Sequence, residues 1–244
     1  MMVRYINLVK KFGSRIVLKK INLEIGQGEI VFILGTSGTG KSVLLKNTVG
    51  LLRPDEGEIW LDGEEISKLE ESDFFRIRQK CGMVFQQPAL FDSLSIEENL
   101  SFALKRRSKL SSMDIRDKIR SLLNKIQISE SVLGKKPVEV SYGMQKRISL
   151  ARTVITEPKV LLFDEPTAGL DPINTTVINQ LIHKLSKEFK TTSIVVSHDM
   201  RCAMEIADRI VVLDQGEVLA QGSVAEMKNS TVPLVQSFLQ EVNL

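Results

Sequence analysis

The sequence has few of the features that mark secreted, metal-binding or membrane-spanning chains. Its two cysteines, Cys81 and Cys202, lie far apart and outside any CxxC or histidine-rich cluster, so neither metal nor redox chemistry is indicated. Two free thiols fit a reducing cytosol. No stretch approaches the roughly eighteen uninterrupted apolar residues that a membrane-spanning helix needs. The first residues carry charges at Arg4 and Lys10, which is not typical of a signal peptide.

An excess of charge of one sign is also missing. The net charge is +3, with 43% hydrophobic and 26% charged residues, which is ordinary for a globular protein and argues against extensive disorder. The most basic run, "KRRSK" at residues 105–109, is short and more typical of a solvated helix end than of a nucleic-acid site. We therefore expect no nucleic-acid partner. A chain of 244 residues can form one large or two small α/β domains without disulfides.

Strand-like and helix-like segments alternate along much of the chain. The apolar run at residues 29–35 is typical of a strand buried on both faces, and a glycine-rich turn and a helical stretch at residues 41–52 follow it. Asp62-Gly63 and Gln215-Gly216 predict hairpin turns. Alternation of this kind predicts a largely parallel sheet covered by helices. Further strand patterns lie at residues 17–25, 57–66, 159–166, 192–199 and 209–222.

Helical patterns dominate residues 97–156, which suggests a helical insertion. Ser111 or Ser112 is a plausible N-cap for the helix in the middle of this insertion. Helical patterns also occupy residues 172–189 and 200–207, and the tail has apolar residues at helical spacing.

The segment "GTSGTGKS" matches the phosphate-binding loop pattern in the context that the pattern requires, after an apolar strand and before a helix. Inward-turned backbone N–H groups and the helix N-terminus favour phosphate there, Lys41 would reach the β- and γ-phosphates, and Ser42 would ligate Mg²⁺. Val43 stands where many such loops have a second hydroxyl. The alternative is a tight glycine-rich turn. The predicted nucleotide-binding residues here are Gly35, Thr36, Ser37, Gly38, Thr39, Gly40, Lys41, Ser42 and Val43.

The segment "VLLFDEP" places two carboxylates at the end of a buried strand. Asp164 is positioned to hold Mg²⁺, usually through water, and Glu165 to orient a water against the γ-phosphate. The alternative is a solvated turn or a helix cap.

Taken in order, these motifs resemble the nucleotide-binding domain of ATP-binding cassette (ABC) proteins over roughly residues 2 to 225. The resemblance implies an α/β fold: a P-loop NTPase (RecA-like) core with an antiparallel β subdomain and a helical insertion. It implies a nucleotide-binding domain at 1–225, with a helical subdomain at about 88–156, and a short C-terminal helical extension at 226–244. The six motifs that carry it are Phe12 in "KKFG", the phosphate loop, Gln86 in "MVFQQPALF", "VSYGM", "LLFDEPTAGLDP" and His198 in "VVSHD".

The resemblance assigns roles to single residues. Phe12 would stack on adenine, unless it is a core phenylalanine. Gln86 would sense the γ-phosphate and Mg²⁺, and it is preferred to Gln87 because the family's glutamine directly follows a strand. His198 would donate to the γ-phosphate and help orient the attacking water, although a lone histidine is more often structural. His183 matches no motif and is interpreted as structural.

The segment "VSYGM" occupies the place of the family's "LSGGQ"-type signature. Ser141 and Gly143 would contact the γ-phosphate of ATP held by a second copy of the chain, and Asp171 would cross the dimer interface. Tyr142 departs from the family's glycine, adding bulk and disfavouring positive φ. The alternative is an amphipathic helix without a nucleotide role.

Within the family the chain looks like the ATPase of Mla-type or Mce-type bacterial lipid transporters, on "GTSGTGKSVLLK", "MVFQQPALFDSLSIEENLSFAL" and a signature with Met144 followed by "QKR". This implies ATP and Mg²⁺ as cofactors and a homodimer at the cytoplasmic face of the inner membrane. Its partners would be a transmembrane permease, docked near residues 86–91, and an MCE-type substrate-binding protein. The alternatives are a cassette for another solute, or a soluble cassette ATPase acting on nucleic acid or ribosomes.

Overall fold

Two sheets organise the fold in the computed structural model, which describes residues 1–107 and 110–242. The larger sheet has the order β10-β9-β3-β8-β7-β6, in which all neighbouring strands are parallel except the β9–β10 hairpin. Ser108 and Lys109 of the basic run lie outside the described residues. The strands are β1 (Val3–Phe12), β2 (Arg15–Ile25), β3 (Ile30–Leu34), β4 (Glu56–Leu61), β5 (Glu64–Glu65), β6 (Cys81–Val84), β7 (Val160–Asp164), β8 (Thr192–Ser197), β9 (Arg209–Asp214) and β10 (Glu217–Gly222).

The central strand β3 is buried on both faces, as its apolar run predicts. Because side chains alternate across a strand, Ile30, Phe32 and Leu34 enter one hydrophobic cluster with the helices of the insertion. Val31 and Ile33 enter the other cluster, with the second sheet. One five-residue strand therefore belongs to both halves of the core.

The smaller sheet is antiparallel, in the order β2-β1-β4-β5. The β4–β5 turn is at Asp62 and Gly63, whose φ angles of 53° and 80° suit a tight hairpin, and the β9–β10 turn is at Gln215 and Gly216. Both hairpins are at the positions that the sequence predicts. The α/β class with an antiparallel subdomain is thus confirmed.

The helices agree with most of the predicted segments. Ser111 caps α4 in a capping box with Asp114. The first helix ends at Thr48, before the predicted end at 52, because the chain turns at Gly50 with φ 68°. The helix α2 has no counterpart among the predictions. The helices are α1 (Lys41–Thr48), α2 (Glu71–Lys80), α3 (Ile96–Arg107), α4 (Ser112–Lys125), α5 (Tyr142–Val154), α6 (Pro172–Glu188), α7 (Met200–Ile206), α8 (Val224–Lys228) and α9 (Pro233–Glu241), and short 3₁₀ turns occupy Glu130–Val132 and Pro137–Glu139.

The C-terminal helix α9 packs against the body of the protein. Val235, Phe238 and Leu239 are buried in the same cluster as the insertion helices. In the described part of the chain, no helix has the length and apolar character to cross a bilayer.

Candidate functional site

The phosphate-binding loop joins β3 to α1, and its glycines allow close backbone approach. A methyl group on Gly35 would lie 2.3 Å from the Leu213 carbonyl oxygen. Gly40 has φ 103°, a left-handed conformation that favours glycine, and a methyl group there would lie 2.7 Å from Leu18. Thr39 donates from its hydroxyl to the Thr36 carbonyl at 3.0 Å, which tightens the turn. The loop therefore lies against β2 and β9 and opens at the start of α1.

Lys41, the first residue of α1, lies over the loop. Its ammonium donates to the carbonyls of Gly35 at 2.7 Å and Thr36 at 3.0 Å, and only 7% of the side chain is exposed. Burial lowers the pKa of Lys41, while the carboxylates of Glu165 and Asp164 act in the opposite direction. Its nitrogen is 3.9 Å from a Glu165 oxygen. This cation is thus placed between the loop and the carboxylates.

Ser42 and Asp164 come together from distant parts of the sequence. The Ser42 hydroxyl donates to the Asp164 carboxylate at 2.6 Å. Asp164 ends β7 and is buried. A hydroxyl beside one carboxylate suits Mg²⁺, which binds hard oxygen ligands and takes its remaining ones from water and nucleotide phosphates. Among the described residues no cluster of three or more His, Cys, Asp or Glu is present, and such a cluster is not needed for a nucleotide-bound magnesium ion.

Glu165 follows β7 in an unusual backbone conformation. Its φ is 48°, a left-handed value that costs free energy for a residue with a side chain and is found preferentially at functional sites. Its N–H still donates to the Val196 carbonyl at 3.0 Å, so the sheet holds this turn. Its carboxylate lies 2.9 Å from Nδ1 of His198, a residue that is 68% exposed. The pair therefore lies at the carboxyl ends of adjacent strands, with the histidine reaching solvent.

Lys41, Ser42, Glu165 and His198 line one cleft of about 770 Å³, and Asp164 is buried behind Ser42. The cleft includes most of the predicted loop residues, together with Gln86, Glu165 and His198. Phe12 does not line it: this residue ends β1, is 48% exposed and lies under the Lys10 ammonium at 5.4 Å. The lining residues are Arg15, Val17, Thr36, Ser37, Gly38, Gly40, Lys41, Ser42, Val43, Gln86, Glu165, Ala168, His198, Phe238 and Glu241.

Several lining residues were missed by the sequence reasoning. Arg15 and Val17 are two residues apart on β2, so strand alternation puts both side chains on the same face of that strand. Phe238 and Glu241 come from α9, and nothing in the sequence indicates that the tail reaches the cleft.

The signature segment, residues 140–144, lies outside this cleft in the same subunit. Ser141 caps α5 by accepting a hydrogen bond from the Met144 N–H at 3.4 Å. A methyl group on Gly143 would lie 2.7 Å from the Asn174 side chain. Asp171 caps α6 by accepting from the N–H of Asn174 at 2.9 Å. Ser141, Gly143 and Asp171 are thus gathered around the starts of α5 and α6, apart from the phosphate loop.

The comparison with protein families agrees with this arrangement. The model described as "ABC transporter" matches residues 18–168 of the chain. That range runs from β2 through the phosphate loop and the insertion helices to the segment after Glu165.

Relatives match over nearly the whole chain. The chloroplast protein Trigalactosyldiacylglycerol 3 of Arabidopsis thaliana is 41% identical over 95% of this chain and 71% of its own length. The ATP-binding protein MlaF of an intermembrane phospholipid transport system in Haemophilus influenzae is 36% identical over 96% of this chain and 88% of its own. A probable sulfate/thiosulfate import ATP-binding protein of Chlorella vulgaris is 38% identical over 96% of both chains.

Solved structures show the same architecture. The dimeric ATP-binding cassette MJ0796, in a post-hydrolysis state bound to ADP and Pi, superposes with a TM-score of 0.82 at 35% identity. The match covers 91% of this chain and 99% of that one.

Proposed function

The chain belongs to the ABC transporter family as an ATP-hydrolysing subunit, and we propose that the transport it energises is that of phospholipid in a bacterial envelope. The observation that carries the catalytic part is the cleft in which Lys41, Ser42, Glu165 and His198 meet. The substrate part rests on the similarity to the phospholipid-transport protein and on the methionine-bearing signature.

Different residues of the cleft bind the phosphates and orient the attacking water. The loop N–H groups and Lys41 bind the phosphates and offset their charge. The Glu165 carboxylate accepts a hydrogen bond from the attacking water and orients it. His198 lies 2.9 Å from that carboxylate and donates a hydrogen bond to the γ-phosphate from its exposed ring. Glu165 is thus fixed by the strand end on one side and by the imidazole on the other.

Ser42, Asp164 and Gln86 are the residues that would hold Mg²⁺. When bound, this cation neutralises part of the charge on the β- and γ-phosphates. The Gln86 side chain is exposed in the cleft, at the junction between β6 and the insertion.

Two copies of the chain complete each site in the proposed assembly. The start of α5, with the free N–H groups that follow Ser141, and the close approach allowed at Gly143 suit a γ-phosphate presented by the second copy. Asp171 then lies at the interface. The dimeric cassette among the solved structures supports this arrangement.

A transmembrane permease is the proposed partner in transport. Two exposed aromatic side chains, Phe85 and Phe91, flank the segment after β6 and suit an apolar helix end of such a subunit. In the lipid-transport proposal the complex lies at the cytoplasmic face of the inner membrane and includes an MCE-type substrate-binding protein.

The substrate proposal has a direct test. The chain is purified in complex with its membrane partner, and the bound small molecules are identified by mass spectrometry. Phospholipid enriched over the membrane average supports the proposal. Sulfate or another defined solute, or a complex that contains only ribosomes or nucleic acid, contradicts it.

The catalytic assignment predicts that Glu165→Gln abolishes turnover while ATP still binds. The neutral amide cannot orient the water as a base, which typically costs about 10²- to 10⁴-fold in rate. The measurement is the kcat for ATP in the assembled complex, together with the Kd for ATP. Glu217→Gln, an exposed substitution on β10, serves as the control and should leave both values unchanged. An unaltered kcat in Glu165→Gln excludes this residue as the one that orients the water.

A further inference from the structure

The start of α5 contacts two loops of its own subunit through side chains that the proposed function leaves without a role. The first loop is the glutamine loop, residues 86–91, and the second is the post-Glu165 loop, residues 166–170. We propose that Tyr142 and Lys146 are positioning residues that fix these two loops to the start of α5. The proposal rests on the proposed function, because the loops matter for ATP hydrolysis only if they carry Gln86 and follow Glu165.

Lys146 is the stronger of the two contacts. Only 2% of this residue is exposed, and its ammonium donates to the carbonyls of Gln86 at 2.5 Å and Pro166 at 3.0 Å. Within the described residues no carboxylate pairs with it. Burial lowers the pKa of Lys146 to about 8. A buried cation is costly unless it is hydrogen-bonded, so an apolar residue would be the cheaper way to fill this place.

The side chains around the aliphatic part of Lys146 are also apolar. A small cavity beside it is lined by Leu150, Phe163, Ile178 and Ile182, all buried and apolar. An apolar side chain would therefore pack well along the stem. An apolar side chain could not, however, donate the two hydrogen bonds by which the Lys146 ammonium reaches two separate loops.

Tyr142 lies one turn before Lys146 and joins the same two loops. Its hydroxyl donates to the Gln87 side chain at 3.3 Å. Its ring lies near Gly169: a methyl group added to that glycine would be 3.8 Å from the ring, in ordinary van der Waals contact. The Lys146 ammonium is 5.7 Å from the ring centroid. The ring is thus half-buried between the two loops of its own subunit. This accommodates the bulk of a tyrosine at a position where the family signature has glycine.

A third residue of α5 holds the far part of the glutamine loop. Arg152 donates to the Ala89 carbonyl at 2.8 Å and lies 5.2 Å from the ring centroid of Phe91. The helix therefore holds this loop near both of its ends. A shift of α5 on contact with the nucleotide of a second copy would carry the glutamine loop with it.

The test is hydrogen exchange of the nucleotide-free full-length chain, followed by kinetics of the complex. In Lys146→Met, which keeps the stem and removes the donor, we expect amides of residues 86–91 and 166–170 to exchange about tenfold faster or more. Loss of one hydrogen bond from a charged donor shifts a local opening equilibrium by about that factor. The phosphate loop should exchange as in the wild type. The kcat for ATP should fall about tenfold, with the KM within about twofold.

Three further variants separate positioning from general destabilisation. Lys146→Arg, which keeps a charged group with several N–H donors, should restore much of the protection and of the kcat. Leu150→Ala, on the same helix, should lower the unfolding midpoint without selectively loosening the two loops. Tyr142→Gly should loosen residues 166–170, and Tyr142→Phe should affect only the neighbourhood of Gln87.

Wild-type exchange of both loops in Lys146→Met, or a kcat equal to that of the wild type, overturns the proposal. Because the exchange experiment needs no ATP, it decides on the positioning role even if the complex proves to have another activity.

Discussion

At the scale of single residues, burial changes the acidity of the two free thiols. Desolvation raises the pKa of Cys81 to about 12, and the pKa of Cys202 to about 12 with a further contribution from Asp199, whose carboxylate accepts from the thiol at 3.0 Å. Ionised thiols are the reactive species, so these shifts disfavour the reactive form of both cysteines at neutral pH.

The same shift predicts how stability changes with pH. Unfolded thiols lose their protons near pH 8.5, whereas the folded ones keep them to about pH 12. The folded state then binds more protons, so the thiol contribution is complete below pH 8.5 and is lost as the pH rises toward 12. Between pH 8 and 10 each thiol should lower the unfolding free energy by about 1–2 kcal/mol.

Urea unfolding at pH 8 and pH 10 measures this effect. The Cys81→Ala/Cys202→Ala variant should lose less stability over the interval than the wild type, whatever its stability at pH 8. Equal losses in the two proteins would show that the thiols titrate normally in the fold.

At the scale of elements, α4 depends on a local cap. Ser111 accepts from the Asp114 N–H at 3.2 Å, and the Asp114 carboxylate accepts from the Ser111 N–H at 3.1 Å. Ser111→Ala should lower the unfolding free energy by about 1 kcal/mol, because the N-terminal N–H groups lose their partner. Denaturant unfolding of Ser111→Ala and Ser112→Ala makes the comparison, since Ser112 is also exposed but lies inside the helix. Equal stability of the two variants would exclude the cap as the cause.

Local signals explain which elements could be predicted. Some features depend only on residues that are neighbours in the sequence, so a sequence pattern predicts them. These are the phosphate loop, the pair Asp164 and Glu165, and both hairpin turns. The helix α2 is different: its N-cap residue Glu70 makes no side-chain cap, and Phe74 is buried while the adjacent Phe75 is exposed. Without a start signal or a long periodic run, a ten-residue helix is hard to recognise.

Contacts between segments that are far apart in the chain are the part of the site that could not be predicted from the sequence. The motifs assign Ser42 and Asp164 to the same cation, but the direct hydrogen bond between the two side chains appears only in the structure. The position of Tyr142 near Gly169 and that of Phe238 in the wall of the cleft depend on how α5 and α9 pack, for which the sequence offers no local pattern.

At the scale of the whole molecule, β3 joins the two hydrophobic clusters, so their stabilities should be linked. The chain has one tryptophan, Trp60 on β4, which reports on the antiparallel sheet. Far-UV circular dichroism reports mainly on the helices, most of which pack on the opposite face of the large sheet. If β3 couples the two faces, both signals should follow one urea transition.

A substitution far from Trp60 tests this coupling. Phe238 is buried in the cluster of the insertion helices, and Phe238→Ala should cost about 3–5 kcal/mol of unfolding free energy. We expect the fluorescence and circular dichroism midpoints to fall together, while Gln240→Ala, exposed on the same helix, leaves both in place. A fluorescence midpoint that stays at the wild-type value while the circular dichroism midpoint falls would show that the antiparallel sheet unfolds independently, and that β3 does not link the two halves of the core.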